Sequence, residues 1–191
     1  MTAHDQTTDE QLMYATARSD AAAFRELLDR YSRRVFNLAW HLCANQTEAE
    51  DLTQEVFFKV WRSAGTWQPQ AKLETWLYRI LYNLFIDARR RVKIQPELLS
   101  DDIRCDGDTP EQTLVKKRTA QEIAAAVNSL PDRQKEALAL CYYQGLKAKE
   151  AAEILSVSQG ALESLLFRAR QTLKEKLEIK GGSEYVHTRN A

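Results

Sequence analysis

Apolar side chains recur at helical spacing along most of this chain, and this feature restricts the fold more than any other. From 20 to 43 they fall on one face at steps of three and four, and similar stripes follow over 48–63 and 73–92. No window of seven residues alternates apolar and polar side chains as a half-buried strand does. Six glycines and four prolines in 191 residues are also few for a turn-rich β protein. The sequence therefore predicts an all-α fold.

Breaks in the periodicity predict the helix boundaries in the first half of the chain. The first helix should begin near Asp20 and end at Cys43, and Thr47-x-x-Glu50 has the form of a capping box for the second helix. A loop over 64–72, with a glycine and a proline, separates that helix from the third, over 73–92. The expected buried stripes are Phe24, Leu27, Leu28, Tyr31, Val35, Leu38, Ala39 and Leu42; then Leu52, Val56 and Val60; then Trp76, Leu77, Ile80, Leu81 and Leu84.

A loss of periodicity over about 94–112 predicts a flexible acidic linker between two small helical domains. This segment and the residues just after it hold two prolines, one glycine and six acidic side chains. Four further helices are expected after it, over 111–128, 132–143, 147–155 and 159–178. The predicted organisation is an N-terminal extension over 1–19, a first domain over 20–93, a linker over 94–112, a second domain over 113–180 and a tail over 181–191.

Composition excludes several classes of function. The 27 basic and 27 acidic residues give zero net charge, which is not typical of a protein that binds DNA unaided. No nucleophile–base constellation or phosphate-binding glycine loop is present, so no enzyme and no cofactor is predicted. Cys43, Cys105 and Cys141 lie far apart and indicate ordinary thiols of a reducing cytosol. His41 and Cys43 lie two residues apart on a helix and do not face each other, so no metal site is expected.

Two segments indicate contact with nucleic acid. Residues 47–91 place aromatic rings beside basic side chains and end in three consecutive arginines, a combination that suits stacking on unpaired bases and holding phosphates. Residues 144–158 have the character of a helix-turn-helix, in which Ser158 would cap a second helix that enters a major groove. Arg168 and Arg170 follow in that helix and could reach bases or phosphates.

The order of these segments resembles the extracytoplasmic-function (ECF) sigma factors, the minimal two-domain branch of the sigma family of bacterial RNA polymerase. Three blocks carry the resemblance: AEDLTQEVFFKVW (49–61), LETWLYRILYNLFIDARRR (73–91) and LPDRQKEALALCYYQGLKAKEAAEILSVSQGALESLLFRAR (130–170). Together with the first helix they extend from 20 to 170, a span of about four-fifths of the chain. The resemblance implies a cytoplasmic transcription initiation subunit with three partners: core RNA polymerase (the clamp helices of the largest subunit, and the flap), promoter DNA and an anti-sigma factor.

The resemblance also implies roles for residues of the first domain. The set that matches the polymerase-docking region is Asp51, Gln54, Glu55 and Phe58. Trp67 matches an aromatic beside the extruded base of the minus-ten element, and Asn83 matches an asparagine of that base's pocket. Arg79, Arg89, Arg90 and Arg91 lie where phosphates of the melted strand would pass. Trp76 and Tyr82, close to the apolar stripe, are interpreted as packing residues.

In the second domain, the resemblance implies that the helix-turn-helix reads the minus-thirty-five element as duplex DNA. The residues carried over are Lys147, Lys149, Ser164, Phe167 and Arg168. The chain departs from the family pattern at Glu163 and Leu165, where basic residues are common, and at Ser156, which replaces a glycine of the turn. The acidic linker has two open interpretations, a nucleic-acid mimic threaded through the polymerase or a plain solvated tether.

Two rival functions remain open from the residues alone. One is a helix-turn-helix regulator that binds duplex DNA by itself, as a dimer. The other is a helical interaction module, such as a decoy that captures a regulator. The polar, acidic N-terminus lacks the features of a signal peptide, and the longest apolar runs are far too short to span a membrane.

Overall fold

The computed structural model describes residues 7–94 and 122–178, which divide into two units. The first unit contains α1 (Asp9–Ala17), α2 (Ala21–Cys43), α3 (Gln46–Ser63), a 3₁₀ turn (Ala64–Thr66) and α4 (Leu73–Ile94), and the segment Tyr143–Leu146 groups with it. The second unit contains α5 (122–128), α6 (Asp132–Leu138), α7 (Ala148–Leu155) and α8 (Gln159–Glu178). A π-helical turn (Ala139–Tyr143) follows α6, and all of its residues except Tyr143 belong to this unit. Within the described ranges every regular element is helical, as the periodicity predicted.

The apolar stripe of α2 forms the centre of the first unit. Leu27, Val35 and Leu38 are almost fully buried there, as predicted, and α2 packs against α1, α3 and α4. The stripes of α3 and α4 close the core with Val56, Val60, Leu77, Leu81 and the unpredicted Phe57, Tyr78 and Phe85. The predicted members Tyr31, Ala39 and Leu42 are buried as well. The other predicted members are half-buried at the edges: Phe24, Leu28, Leu52, Trp76, Ile80 and Leu84.

A helix that the periodicity did not predict precedes α2. Thr8 caps α1 through a capping box, in which its hydroxyl accepts from the Gln11 amide while the Gln11 side chain accepts from the Thr8 amide. Leu12, Met13 and Thr16 are buried. The first helix of the chain therefore begins at Asp9 rather than near Asp20.

The predicted capping box of α3 was wrong. Asn45, not Thr47, is the N-cap, and its side-chain oxygen accepts from the Glu48 amide at 3.0 Å. Glu50 accepts instead from the Gln46 side chain at 2.9 Å. Asparagine is a strong N-cap residue, and it starts the helix two residues earlier than expected.

The second unit is built around α8, against which α6 and α7 both pack. Leu140, Ile154, Leu155 and Leu162 are almost fully buried, and Ala151 has no exposed surface where α7 approaches α8. A three-residue turn links α7 to α8, and Ser158 caps α8 by accepting from the Ala161 amide at 3.2 Å. The predicted helix-turn-helix is confirmed in this respect.

Several predictions fall outside the described residues. They are most of the linker over 94–112, the first part of the helix over 111–128, the tail over 181–191, the first six residues, and Cys105.

Candidate nucleic-acid interface

The outward face of α3 carries a stripe of acidic and aromatic side chains. Asp51, Gln54, Glu55 and Phe58 follow one another at steps of three, one and three residues, and all are exposed. Their exposure follows from the helical period, because Val56 and Val60 turn toward the core. The ring of Phe58 is 57% exposed, and the Arg62 guanidinium lies 5.5 Å from its centroid. The structure thus brings the predicted docking residues onto one surface that suits a basic or mixed partner.

Trp67 lies directly after the 3₁₀ turn, in the loop over 64–72. Its amide donates to the carbonyls of Ser63 at 3.1 Å and Ala64 at 3.4 Å, which fixes the backbone on which the indole stands. The ring is half-buried, and its edge-to-face partner is Trp76, with centroids 6.3 Å apart. An aromatic ring supported from one side and open on another can stack on an unpaired base.

The predicted polar residues of α4 lie on its solvent side. Arg79 and Asn83 are exposed one turn apart, while Tyr82 beside them is only 4% exposed. The interpretation of Tyr82 as a packing residue is therefore confirmed. Asn83 offers an amide donor and acceptor on the surface, the groups that read a base edge.

The three consecutive arginines at the end of α4 have different surroundings. Arg89 is half-buried, with its guanidinium 4.8 Å from the centroid of the Phe85 ring. Arg90 and Arg91 are exposed. Arg91 also lines a shallow groove between α3 and α4, together with Asp51 and Glu55. The sequence did not distinguish these arginines, whereas the structure leaves Arg90 and Arg91 the more accessible to phosphates.

Lys147 and Lys149 lie at the start of α7 with exposed side chains. The backbone amide of Lys147 donates to the Glu150 carboxylate at 3.1 Å, so this end of the helix is fixed by its own residues. Both ammonium groups stand beside the helix-turn-helix, where contacts to a phosphate backbone are made.

The exposed face of α8 brings together Ser164, Phe167 and Arg168, at steps of three and four residues. Phe167 is 60% exposed, which is unusual for a phenylalanine in a small helical unit. Leu162, Leu166 and Ala169 lie on the opposite, buried face. The Ser164 hydroxyl donates to the Gly160 carbonyl at 2.9 Å, so it is oriented along its own helix.

Arg170 differs from Arg168, although the sequence analysis expected both side chains to reach bases or phosphates. Its Nε donates to the Tyr142 hydroxyl at 2.7 Å, and its guanidinium lies 5.5 Å from the centroid of that ring. The pair ties α8 to the π-helical turn. Sequence reasoning missed Tyr142, since nothing in the local pattern links residues 28 positions apart.

The three departures from the family pattern have clear positions. Ser156 adopts the left-handed conformation with φ of 54°, which explains why a glycine suits this place in the turn. Glu163 is exposed and accepts from the Gln159 side chain at 3.0 Å. Leu165 is half-buried. Ser156 therefore leaves the fold of the turn intact, and Glu163 adds negative charge to the outer side of α8.

Ionisable groups near the core are held in their neutral forms. Burial raises the pKa of the Cys43 thiol to about 12, and it raises the pKa of Cys141 as well. Burial lowers the pKa of His41. Across residues 7–94 and 122–178, no group of three or more His, Cys, Asp or Glu side chains is placed to hold a metal ion. No helix within those same ranges is long and apolar enough to cross a membrane.

Comparison with known proteins matches each of the two units to a region of the sigma factors. Residues 27–93 match the family model of Sigma-70 region 2, and residues 120–173 match that of Sigma-70, region 4. The ECF RNA polymerase sigma factor SigE of Mycolicibacterium smegmatis is 38% identical over 178 residues, which cover 91% of this chain and 69% of the relative. The ECF RNA polymerase sigma factor SigW of Bacillus subtilis is 29% identical over 171 residues, which cover 84% of this chain and 91% of the relative.

Solved structures show the same fold. The sigma factor RpoE of Bartonella quintana, in complex with the anti-sigma factor NepR, is 25% identical with a TM-score of 0.67, over 83% of this chain and 98% of that one. CnrH, in complex with the cytosolic domain of CnrY, is 22% identical with a TM-score of 0.66. The match covers 91% of this chain and 99% of CnrH.

Proposed function

This chain belongs to the ECF sigma factors, and we propose that it binds core RNA polymerase, directs it to specific promoters and helps to open the minus-ten region. The observation that carries the proposal is a separation of surfaces within the first unit. The acidic stripe is exposed on α3, whereas the half-buried Trp67 lies in the loop over 64–72 and the exposed Asn83 lies on α4. Polymerase and an unpaired base can therefore be bound through different side chains.

The residues of the first unit have separate roles in this proposal. Asp51, Gln54, Glu55 and Phe58 bind the clamp helices of the largest polymerase subunit. Trp67 stacks beside the extruded minus-ten base and Asn83 lines its pocket. The arginines Arg79, Arg89, Arg90 and Arg91 contact the phosphates of the melted strand. Base extrusion costs a few kcal/mol, and stacking returns about 1–3 kcal/mol per base, so this pocket can balance most of the cost.

The second unit reads the minus-thirty-five element as duplex DNA and binds the polymerase flap. Ser164, Phe167 and Arg168 form its reading face on α8, and Lys147 and Lys149 lie beside the backbone. Arg170, held by Tyr142, fixes α8 rather than contacting a base. The exposed carboxylate of Glu163 weakens phosphate contacts on its side of α8. The minus-thirty-five contact is thus expected to be modest in strength.

We assign 20–93 and 113–180 as the two functional domains, with an extension over 1–19, a linker over 94–112 and a tail over 181–191. The matches over 27–93 and 120–173 support these boundaries. The protein acts in the cytoplasm and catalyses no covalent chemistry. Sigma factors are transcription regulators, and the two matched regions account for both units.

An anti-sigma factor regulates the protein in this proposal. Support comes from the structural relative from Bartonella quintana, which was solved with an anti-sigma factor bound. The exposed rings of Phe58 and Phe167 also give the free protein apolar surface that a partner would cover.

The test is transcription from fragmented genomic DNA of the source organism by purified core polymerase, with and without the protein, followed by mapping of RNA 5′ ends. The expected result is a set of new start sites that share two upstream motifs at a constant spacing, because the two units of one protein contact the two motifs. Tight core binding without new starts would indicate a decoy. If the protein did not bind core polymerase but bound a DNA operator tightly, it would be an ordinary DNA-binding regulator.

A further inference from the structure

The helix α1 packs directly against the 3₁₀ turn that precedes Trp67. Besides this turn, α1 contacts α2 and α3. Its inward residues Leu12 and Met13 are 5% and 0% exposed, and Ala64, the first residue of the turn, is 5% exposed. One turn of backbone separates Ala64 from the indole, because the Trp67 amide donates to the Ala64 carbonyl. A displacement of α1 would therefore shift the 3₁₀ turn, and with it the Trp67 side chain.

A single carboxylate anchors α1 to the central helix. Asp9 accepts from the Tyr31 hydroxyl and from Arg30 Nη1, the latter at 3.1 Å. Burial, and then the bond to Asp9, raise the pKa of Tyr31, so its phenol remains protonated and continues to donate. Glu26 accepts from Arg30 Nε at 2.9 Å and orients the guanidinium toward α1.

The anchor matters because α1 has only nine residues. A helix of this length is unstable alone in water and depends on tertiary contacts. Its attachment consists of a small apolar face and the bonds of Asp9. Loss of those bonds would let α1 open locally without unfolding the core of α2, α3 and α4.

We propose that α1 positions the loop that captures the minus-ten base, and that Asp9 is a positioning residue for Trp67; this inference rests on the proposed function. Asp9 touches neither DNA nor polymerase in this scheme. It acts by holding α1 against the turn Ala64–Thr66, which keeps the indole where the extruded base arrives. Promoter opening then depends on a residue far from Trp67 in the sequence.

Asp9→Ala and Tyr31→Phe test the proposal, with Glu10→Ala as the matched control. Glu10 is exposed in the same first turn, so its removal changes the charge at the start of α1 equally and leaves the anchor in place. Tyr31→Phe keeps the buried ring and removes only the donor. The measurements are the rate of open-complex formation on a mapped promoter, core affinity and the melting temperature of the full protein.

We expect Asp9→Ala and Tyr31→Phe to slow opening by about threefold to tenfold, the range that one net hydrogen bond supports. Core affinity should stay unchanged, and Glu10→Ala should behave as the native protein. In the Trp67→Ala background neither anchor substitution should slow opening further, because the ring that α1 positions is gone.

Three results would overturn the inference. They are normal opening by both anchor variants, equal slowing by Glu10→Ala, and slowing of the same size in the Trp67→Ala background. The last would mark a general loss of stability instead. Failure of the proposed function has a different signature, since the native protein would then open no promoter with core polymerase at all.

Discussion

The indole rings of Trp67 and Trp76 meet edge to face at an interplanar angle of 60°, with their centroids 6.3 Å apart. Trp76 belongs to α4, whereas Trp67 stands in the loop before it. The contact therefore supports a loop side chain on a helix. One face of Trp67 is held in this way while the ring remains half-exposed, which is the condition for stacking with little loss of side-chain entropy.

Replacing the two residues of the base pocket should impair promoter opening selectively. Trp67→Ala removes a stacking platform worth about 1–3 kcal/mol, so opening should slow by roughly fivefold to a hundredfold. Asn83→Ala should act in the same direction through lost base-edge hydrogen bonds. Opening rates and core affinity are to be measured side by side, with the exposed neighbour Gln68→Ala as control. Equal loss of opening and core binding would refute the assigned pocket.

Reversing one charge on the α3 stripe should weaken polymerase association. Glu55 is exposed within that stripe, and Glu55→Lys should lower core affinity by about threefold to tenfold, the usual range for a surface contact between charges. The loss should shrink as salt is raised. Asp29→Lys, on the exposed side of α2, changes the net charge equally and should leave affinity unchanged. An unchanged affinity for Glu55→Lys would exclude this docking face.

The stripes of α2, α3 and α4 were predictable because local periodicity alone determines which residues turn inward. Helix α1 was missed because nine residues with an inward face of Leu12, Met13 and Thr16 give too short a pattern. For the predicted site residues on the helices, exposure followed from the same periodicity except at Arg89, which is half-buried. The anchor from Asp9 to Tyr31 and the pair of Tyr142 with Arg170 span 22 and 28 positions and arise only from tertiary packing.

The turn of the helix-turn-helix offers a test of backbone strain. Ser156 holds a φ of 54°, a conformation that costs a residue with a side chain about 1–2 kcal/mol and glycine much less. Ser156→Gly should raise the free energy of unfolding of the second unit by about 0.5–1 kcal/mol after the entropy of the unfolded chain is counted. Chemical denaturation measures the change. Ser158→Gly, which removes the cap of α8, should have the opposite sign.

The Cys43 thiol should be inert at neutral pH. Burial raises its pKa to about 12 from the ordinary value of 9.0, so the fold favours the protonated form. This contribution to stability is fully present below pH 9 and is lost as the pH rises from there toward 12. In a protein carrying Cys105→Ser and Cys141→Ser, alkylation at pH 8 should be at least about a hundredfold slower when folded than in denaturant, since only the thiolate reacts. Comparable rates in the two states would show that Cys43 is exposed by frequent opening of the first unit.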